Sequence, residues 1–312
     1  MVRAGAVAVT IGAVWVVARG LDGAALGAAL GSARRGLLLL TSCWAVAHLC
    51  LRGLGWRVVI GPVRGGSTVK MVYYAIASAA ASLLAPFRTA EMLRPWLLRR
   101  NHGVPLAQSA GVIIADKLVE ALGLLLLASL IPLLGGRLPL TGQQAAIVLA
   151  LATAIVLIGV FLARRFLLPA GGLGAFVAGV RIFREPARFV LALAVSLAAW
   201  LVDLAALGTT LAAFDIQARL ADLIVLLLKV NVALLLPSAP GNIGSLELGA
   251  TLGAESLGVG HTRAVAFAIA YHAAQLAPLV LLGALGLLRA LAGGGGRRAT
   301  PPNGAAPGVE LP

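Results

Sequence analysis

The sequence predicts an all-α, polytopic integral membrane protein, and three observations carry that prediction. Of the 312 residues, 60% are hydrophobic and 12% are charged, whereas a soluble domain carries about 25% charged residues. Mean hydropathy is +0.99, and long apolar runs recur from residue 4 to residue 291. No Lys/Arg block with interleaved aromatics is present, so the net charge of +14 indicates membrane topology and not nucleic-acid binding.

The apolar runs give the order of the predicted helices. They lie at residues 4–18, 36–51, 71–85, 104–134, 143–163, 189–213, 223–236 and 264–288. We interpret the first run as a retained membrane span, with a signal peptide as the alternative, because no clean small-residue cleavage site precedes a soluble mature region. Runs 71–85 and 223–236 each stop at a proline and would form helices of about 21 to 23 Å, against a hydrocarbon core of about 30 Å. These two runs are therefore expected to form re-entrant hairpins beside about six spanning helices; the alternative is eight helices.

The order of features occurs twice along the chain. Each short run leads to a second short helical stretch with a glutamate, Glu91 in one case and Glu247 in the other, before a Gly-Val dipeptide opens a long run. Three spans in each half would invert the second half relative to the first. Paired short segments broken by proline and glycine are the sequence pointer to a transporter's central site.

The predicted domain organisation follows from this repeat. One transmembrane domain is expected over residues 1–291, with halves at about 1–134 and 143–291, followed by a disordered tail at 292–312. With both termini in the cytoplasm, most basic residues lie on the inside, including the series from Arg52 to Arg100. The positive-inside rule favours this arrangement in a cell membrane.

The first polar cluster contains Arg88, Glu91 and Arg94, which share one helical face at i, i+3 and i+6. Two guanidinium forks can bind one phosphate bidentately while the carboxylate orients them. Pro95 is expected to end the regular helix near Arg94. The alternative interpretation is a set of interfacial arginines that snorkel beside Trp96.

The second polar cluster interrupts an apolar run and leaves backbone groups without helical partners. Its candidate binding residues are Pro240, Gly241, Asn242, Gly244 and Glu247. Within lipid, such a backbone must line protein or a water-filled cavity. A helix that begins near Gly244 would direct its positive end toward an anion. A plain surface loop is the alternative.

A third set places ionisable residues inside apolar runs, where each charge costs about 2.5 to 3.5 kcal/mol. The set comprises Asp116, Lys117, Glu120, Lys229 and His272, accompanied by Asp203 and Asn231. Because Asp116 and Glu120 stand four residues apart, Lys117 cannot serve both, so another helix is expected to supply a partner. We predict a gating or pairing role, with a structural salt bridge as the alternative. His272 is interpreted as a satisfied core histidine in preference to a proton relay.

Other sequence features predict packing and not chemistry. Cys43 and Cys50 are separated by about 10 Å along a helix, too far for a disulfide, and are interpreted as packing residues. Gly249 and Gly253 form a GxxxG packing signal. The sequence lacks GxxxxGK[ST], HExxH, CxxC and GxSxG. We therefore predict no enzymatic activity, no metal site and no cofactor.

The two clusters resemble those of the lysylphosphatidylglycerol synthase transmembrane, or flippase-like, family over most of the chain. That family shows P-G-R-x-G-E-x-x-R, then a helix with an acidic-Arg pair, then P-x-x-P-G-G-x-G-x-x-E and a further helix bearing arginine. The matching positions are Pro86, Arg88, Glu91 and Arg94, then Asp116-Lys117, then Pro237, Pro240, Gly241, Gly244 and Glu247. The departures are Phe87, Ala90 and Asn242 in place of glycines, and Lys117 and His272 in place of arginines.

The resemblance implies a membrane domain that moves an anionic or aminoacylated phospholipid, or a related lipid, between leaflets. The implied partners are membrane lipids with anionic headgroups and a separate lipid-synthesising enzyme. We predict that Arg88 and Arg94 hold the phosphate, that Glu91 and Glu247 orient them or accept a cation, and that Asp116 and Lys117 form a gating pair. Two alternatives are a membrane-embedded lipid-modifying transferase, for which no DxD or HxxxxD element is visible, and a non-transporting partner or assembly protein.

Overall fold

The computed structural model describes residues 2–63, 66–83, 92–136, 172–236 and 238–293. All regular elements in these ranges are helices, which confirms the predicted all-α class. Three of them are long and apolar enough to cross a membrane, namely those within Arg35–Ile60, Pro186–Ala213 and His261–Gly283. A fourth crossing results if two helices joined by an 85° bend form one broken span. This is the architecture of a polytopic membrane protein, and the predicted run 143–163 lies outside the described residues.

The N-terminal part of the chain forms seven described helices. They are α1 (Val2–Ala18), α2 (Gly23–Ser32), α3 (Arg35–Ile60), α4 (Thr68–Ala81), α5 (Leu93–His102), α6 (Leu106–Ala128) and the short α7 (Leu130–Leu133). The apolar runs did not predict α2, whose start is capped by the Asp22 carboxylate on the backbone N–H groups of Ala24 and Ala25. The 85° bend lies between α1 and α2.

The remaining elements form the C-terminal part. They are α8 (Gly172–Gly179), a 3-10 turn (Arg181–Arg184), α9 (Pro186–Ala213), α10 (Leu220–Ala233), a 3-10 turn (Pro240–Asn242), α11 (Ser245–Glu255) and α12 (His261–Gly293). Proline at the first position of α9 lacks the N–H that would have no partner there. Helix α12 continues slightly beyond the predicted end of the transmembrane domain, and residues 294–312 lie outside the described part.

Helices α3 and α9 form an antiparallel pair at the centre of the fold. The Thr41 and Thr210 hydroxyls lie 3.0 Å apart near one end of the pair. At the other end, the Arg188 guanidinium donates to the Val58 carbonyl at 2.8 Å. Helix α3 runs to Ile60, beyond the predicted run, and therefore includes Arg52 within a helix and not in a cytoplasmic loop.

The outer face of α3 is apolar and points away from the rest of the protein, as expected for a surface in contact with lipid. Leu39 is 69% exposed. Cys43 and Cys50 are free, as predicted, but both lie exposed on this helix. The prediction that they are packing residues is wrong, because a spacing of seven puts them on one face and that face points outward.

Helices α4 and α5 flank the first predicted hairpin, whose second arm around Glu91 lies outside the described residues. The two helices are joined through Tyr74, whose hydroxyl accepts a hydrogen bond from the Asn101 amide at 2.8 Å and lies 3.1 Å from His102 Nε2. Pro95 does not end the helix: α5 begins at Leu93, and Pro95 lies in its first turn. A proline is tolerated there because the N–H groups of the first turn have no intrahelical acceptor.

The second predicted hairpin is formed by α10 and α11, which pack closely through glycine. A Cβ on Gly249 would lie 2.8 Å from Val230 Cα, and one on Gly253 would lie 1.9 Å from Leu226 Cδ1. The predicted GxxxG packing signal is therefore confirmed. A side chain on Gly249 would meet the backbone of α10 and force the two arms apart, whereas one on Gly253 would require the Leu226 side chain to shift.

Candidate functional site

A cavity of about 330 Å³ lies where α3, the end of α4, α6, α9, α10, α12 and the break before α11 meet. That volume is within the range of small-molecule sites, about 300 to 1,000 Å³. Its charged and titratable lining residues are His48, Arg52, Lys117, Glu120, Asp203 and His272. Such residues are costly within a membrane and mark substrate or ion pathways there. The cavity is therefore the candidate functional site.

One wall of the cavity is an ion-pair cluster between α3 and α6. The Arg52 guanidinium contacts the Glu120 carboxylate and lies 3.6 Å from Asp116 Oδ2. Lys117 Nζ lies 3.4 Å from Glu120 Oε2. The expectation that another helix supplies a partner to the acidic pair is confirmed, and that partner is Arg52. Two cations and two carboxylates make the cluster electrically balanced, which limits the cost of burying it.

Neighbouring aromatic and hydroxyl groups fix the position of this wall. The Trp200 indole N–H donates to the Glu120 backbone carbonyl at 3.0 Å, which ties α9 to α6. A Cβ on Gly123 would lie 2.9 Å from Ser196 Oγ, so this glycine lets α9 approach α6 closely. Arg52, with a side chain 16% exposed, thus lies against a rigid surface while still reaching the cavity.

The opposite side of the cavity is formed by the backbone break that the sequence predicted. Gly241, Asn242 and Gly244 adopt φ of 74°, 62° and 91°, in the left-handed half of backbone space. Glycine adopts these angles without strain, and asparagine is among the few other residues that do so. Asn242, which stands where the family pattern has a glycine, is therefore compatible with this left-handed conformation.

This break contacts the end of the first hairpin. The Gly241 N–H donates to the Ser82 carbonyl at 3.0 Å. Ser82 and Leu83 follow directly after α4, and both line the cavity with Gly241 and Asn242. The end of the first short run therefore meets the break that follows the second short run at one site, while the break after the first run lies outside the described residues.

Glu247 closes the start of α11. Its Oε2 accepts the Gly244 N–H at 2.7 Å, and its Oε1 lies 2.6 Å from His272 Nδ1. The other ring nitrogen of His272 lies 2.9 Å from the Gly241 carbonyl oxygen. The predicted anion site at this helix start is consequently occupied by the protein's own carboxylate. His272 is 4% exposed and fully partnered, as the interpretation of a satisfied histidine requires.

A second histidine–carboxylate pair joins α3 to α9. His48 Nδ1 lies 3.0 Å from Asp203 Oδ1 and 3.3 Å from the Ala199 carbonyl. Both side chains line the cavity and are about a fifth to a quarter exposed. The same helix face thus presents His48 and Arg52, four residues apart, to acidic partners on two different helices, α9 and α6.

The other predicted site residues lie away from the cavity wall or outside the described part. Arg94 packs its guanidinium 5.5 Å from the ring centre of Trp56. Lys229 Nζ donates to the Leu252 carbonyl at 3.1 Å and so joins α10 to α11. Pro240 begins the 3-10 turn of the break. Arg88 and Glu91 lie outside the described residues.

Arg52 and His48 are the functional candidates that the sequence reasoning missed. The predicted apolar run ends at residue 51, and Arg52 therefore falls in the predicted cytoplasmic series. A local signal was available: His48 and Arg52 are spaced i, i+4, like Asp116 and Glu120, so each pair forms one helical face. Matching a basic face to an acidic face would have predicted the contact between α3 and α6.

Comparison with known proteins identifies a family for nearly the whole chain. The family described as "Lysylphosphatidylglycerol synthase TM region" matches residues 3–283. No curated protein and no solved structure gives a significant match. The resemblance predicted from the two polar clusters is confirmed at the level of this family.

Proposed function

The chain belongs to the lysylphosphatidylglycerol synthase TM region family, and on that premise we propose that it moves a phospholipid between the leaflets of a cell membrane. The proposed cargo is an anionic or aminoacylated phospholipid or a related lipid. The observation that carries the proposal is the charged cavity where the end of α4 meets the break before α11. Moving the polar groups of a lipid through hydrocarbon without such a site is costly and therefore slow.

The charges of the cavity suit a headgroup that contains phosphate. Arg52 and Lys117 present N–H donors to the cavity beside Glu120. A guanidinium has five such donors, so Arg52 can bind phosphate oxygens while it keeps a carboxylate contact. Glu120 and Asp203 offer carboxylates that would accept an ammonium group of an aminoacylated headgroup. The acyl chains would stay in lipid while the headgroup passes through the cavity.

We also propose that the two halves are inverted repeats that rock about this site. The second predicted span of each half corresponds to α3 and α9, and these helices pack antiparallel. The two hairpins converge through the Gly241–Ser82 hydrogen bond. Both features are expected of an inverted pair that alternates access to a central site. In this scheme Arg88 and Arg94 hold the phosphate at the cytoplasmic entrance, and Glu91 orients them.

The experiment that tests the function is leaflet exchange in reconstituted vesicles. Fluorescent phosphatidylglycerol is placed in both leaflets, and a membrane-impermeant reductant bleaches the outer one. Vesicles with protein should lose fluorescence from both leaflets, whereas empty vesicles lose only the outer share. Arg52→Gln should slow exchange about 10- to 100-fold, because a hydrogen bond to a charged group contributes about 1.5–3 kcal/mol. Arg88→Ala should also slow it.

A matched control is available on the same helix. Arg57 donates to the Gly61 carbonyl at the end of α3 and does not line the cavity. Arg57→Gln should leave exchange near the wild-type rate. Equal bleaching in empty and protein-bearing vesicles, with the protein monodisperse, would count decisively against lipid movement. A chemically altered lipid in the same vesicles would indicate a transferase instead.

A further inference from the structure

His272 lies between two hydrogen-bond acceptors at the edge of the cavity. One ring nitrogen lies 2.6 Å from Glu247 Oε1, and the other lies 2.9 Å from the Gly241 carbonyl oxygen. The second oxygen of Glu247 is already occupied by the Gly244 N–H. A carbonyl oxygen can only accept, and an ionised carboxylate can only accept.

The contacts of His272 and Glu247 determine how many protons the pair carries. A neutral imidazole has one N–H donor and one acceptor nitrogen, so it can satisfy only one of two acceptors. Nε2 must carry a proton for the Gly241 carbonyl. Either Nδ1 also carries one, which makes His272 an imidazolium, or Glu247 is protonated and donates to Nδ1. In both cases the pair holds one proton more than an ionised carboxylate beside a neutral ring.

Burial explains why this proton is retained. The side chains of His272 and Glu247 are 5% and 17% exposed. With the proton the pair has no net charge, and without it the pair is a buried anion, which is costly in a low-dielectric site. The charged and titratable groups that face the same cavity from the surrounding helices are His48 and Arg52 on α3, Lys117 and Glu120 on α6, and Asp203 on α9.

The chain contains the same geometry at a more exposed position, which serves as a comparison. His261 Nδ1 lies 2.6 Å from Glu255 Oε1, and its Nε2 lies 3.1 Å from the Val17 carbonyl. These two side chains are 31% and 34% exposed and do not line the cavity. Water reaches that pair more readily than the pair of His272 and Glu247, whose side chains are 5% and 17% exposed. The more deeply buried pair is therefore the one expected to hold its proton.

We infer that Glu247 and His272 form a proton-binding site, and that lipid movement through the cavity is coupled to its protonation. This inference deepens the proposed function and rests on it for the coupling, but not for the proton site. The two partners of the pair, Gly241 and Gly244, lie on the break between α10 and α11, and Glu247 lies in the first turn of α11. A movement of the break during transport would separate His272 from Gly241 and allow the proton to exchange with the cavity.

The first test reads the proton directly and needs no lipid movement. Nitrogen-15 spectra of histidine-labelled protein are recorded at about pH 8, above the ordinary histidine pKa of about 6.5, with infrared spectra of the carboxylic-acid region. Wild type should show either an imidazolium that is lost in His272→Gln or an acid carbonyl band that is lost in Glu247→Gln. His261→Gln should change neither signal. Absence of both signals in folded wild-type protein would overturn the proton site.

The second test reads the coupling in the vesicles described above, with a pH difference across the membrane. In wild type and His261→Gln, the gradient should drive the labelled lipid toward one leaflet, and a protonophore should abolish the asymmetry. His272→Arg keeps N–H donors for both acceptors and stays charged, so the exchange that it supports should not respond to the gradient. A wild-type distribution that ignores the gradient overturns the coupling. A complete absence of exchange overturns the proposed function, while the spectra still decide the proton site.

Discussion

Replacing Arg52 by glutamine should destabilise the protein strongly, because it leaves two buried carboxylates with too little positive charge. The Asp116 and Glu120 side chains are 9% and 14% exposed. After the substitution Lys117 remains 3.4 Å from Glu120, but Asp116 has lost the guanidinium 3.6 Å away. Breaking a buried ion pair by removing one partner costs about 3–5 kcal/mol. We expect Arg52→Gln to fall in that range.

The free energy of unfolding is measured in mixed detergent micelles. The helical circular dichroism signal is monitored while a denaturing detergent is added. Arg57→Gln removes a cation of the same helix that donates to a backbone carbonyl and has no role in this cluster. Loss of one such hydrogen bond should cost no more than about 1.5–3 kcal/mol. The comparison separates the loss of a buried charge partner from the loss of any arginine on α3.

A double-mutant cycle tests the reasoning itself. In Arg52→Gln/Glu120→Gln both a cation and a carboxylate are absent, so the remaining cluster is again nearly balanced. The double variant should be more stable than the sum of the two single losses predicts, by about 0.5–3 kcal/mol. Losses that add to within about 0.5 kcal/mol would refute a cooperative ion-pair cluster between α3 and α6.

Three further predictions concern the hairpin, the break and the outer face of α3. Gly253→Leu should lower the free energy of unfolding by at least about 1–3 kcal/mol, because its Cβ would meet Leu226 at 1.9 Å. The control Gly27→Leu, which has open space at its Cβ, should shift the melting temperature little. Asn242→Gly should be nearly neutral, whereas Asn242→Val should cost about 1–2 kcal/mol at φ 62°; equal melting temperatures would contradict the argument. Cys43 and Cys50 should both react with a small maleimide in detergent, as two added masses; protection of both would contradict their exposure.

Local patterns in the sequence predicted the elements of the fold. Hydropathy identified the membrane helices because every backbone polar group in lipid must be satisfied within a helix. Proline and glycine identified the break before α11, and the φ angles of Gly241 and Gly244 explain why those residues stand there. The i, i+4 spacing of Asp116 and Glu120 predicted a partner from another helix. Each of these inferences uses neighbours within a few residues along the chain.

Helix limits were less certain wherever a local rule was weak. The predicted run ended at residue 51, but α3 continues to Ile60 because its inner face packs against α9 and can hold Arg52. Pro95 lies in the first turn of α5 instead of ending a helix, a position where the missing N–H costs nothing. Helix α2 was not predicted, although Asp22 supplies its N-terminal cap.

The sequence by itself determined that the chain belongs to the bilayer, that two segments are broken, and that the acidic pair needs a cation. Only the tertiary structure decided that the cation is Arg52, that His48 faces Asp203, and that His272 lies between Glu247 and Gly241. The physical reason is distance along the chain. Periodicity defines the face of one helix, but which two faces meet depends on packing between residues separated by tens to hundreds of positions.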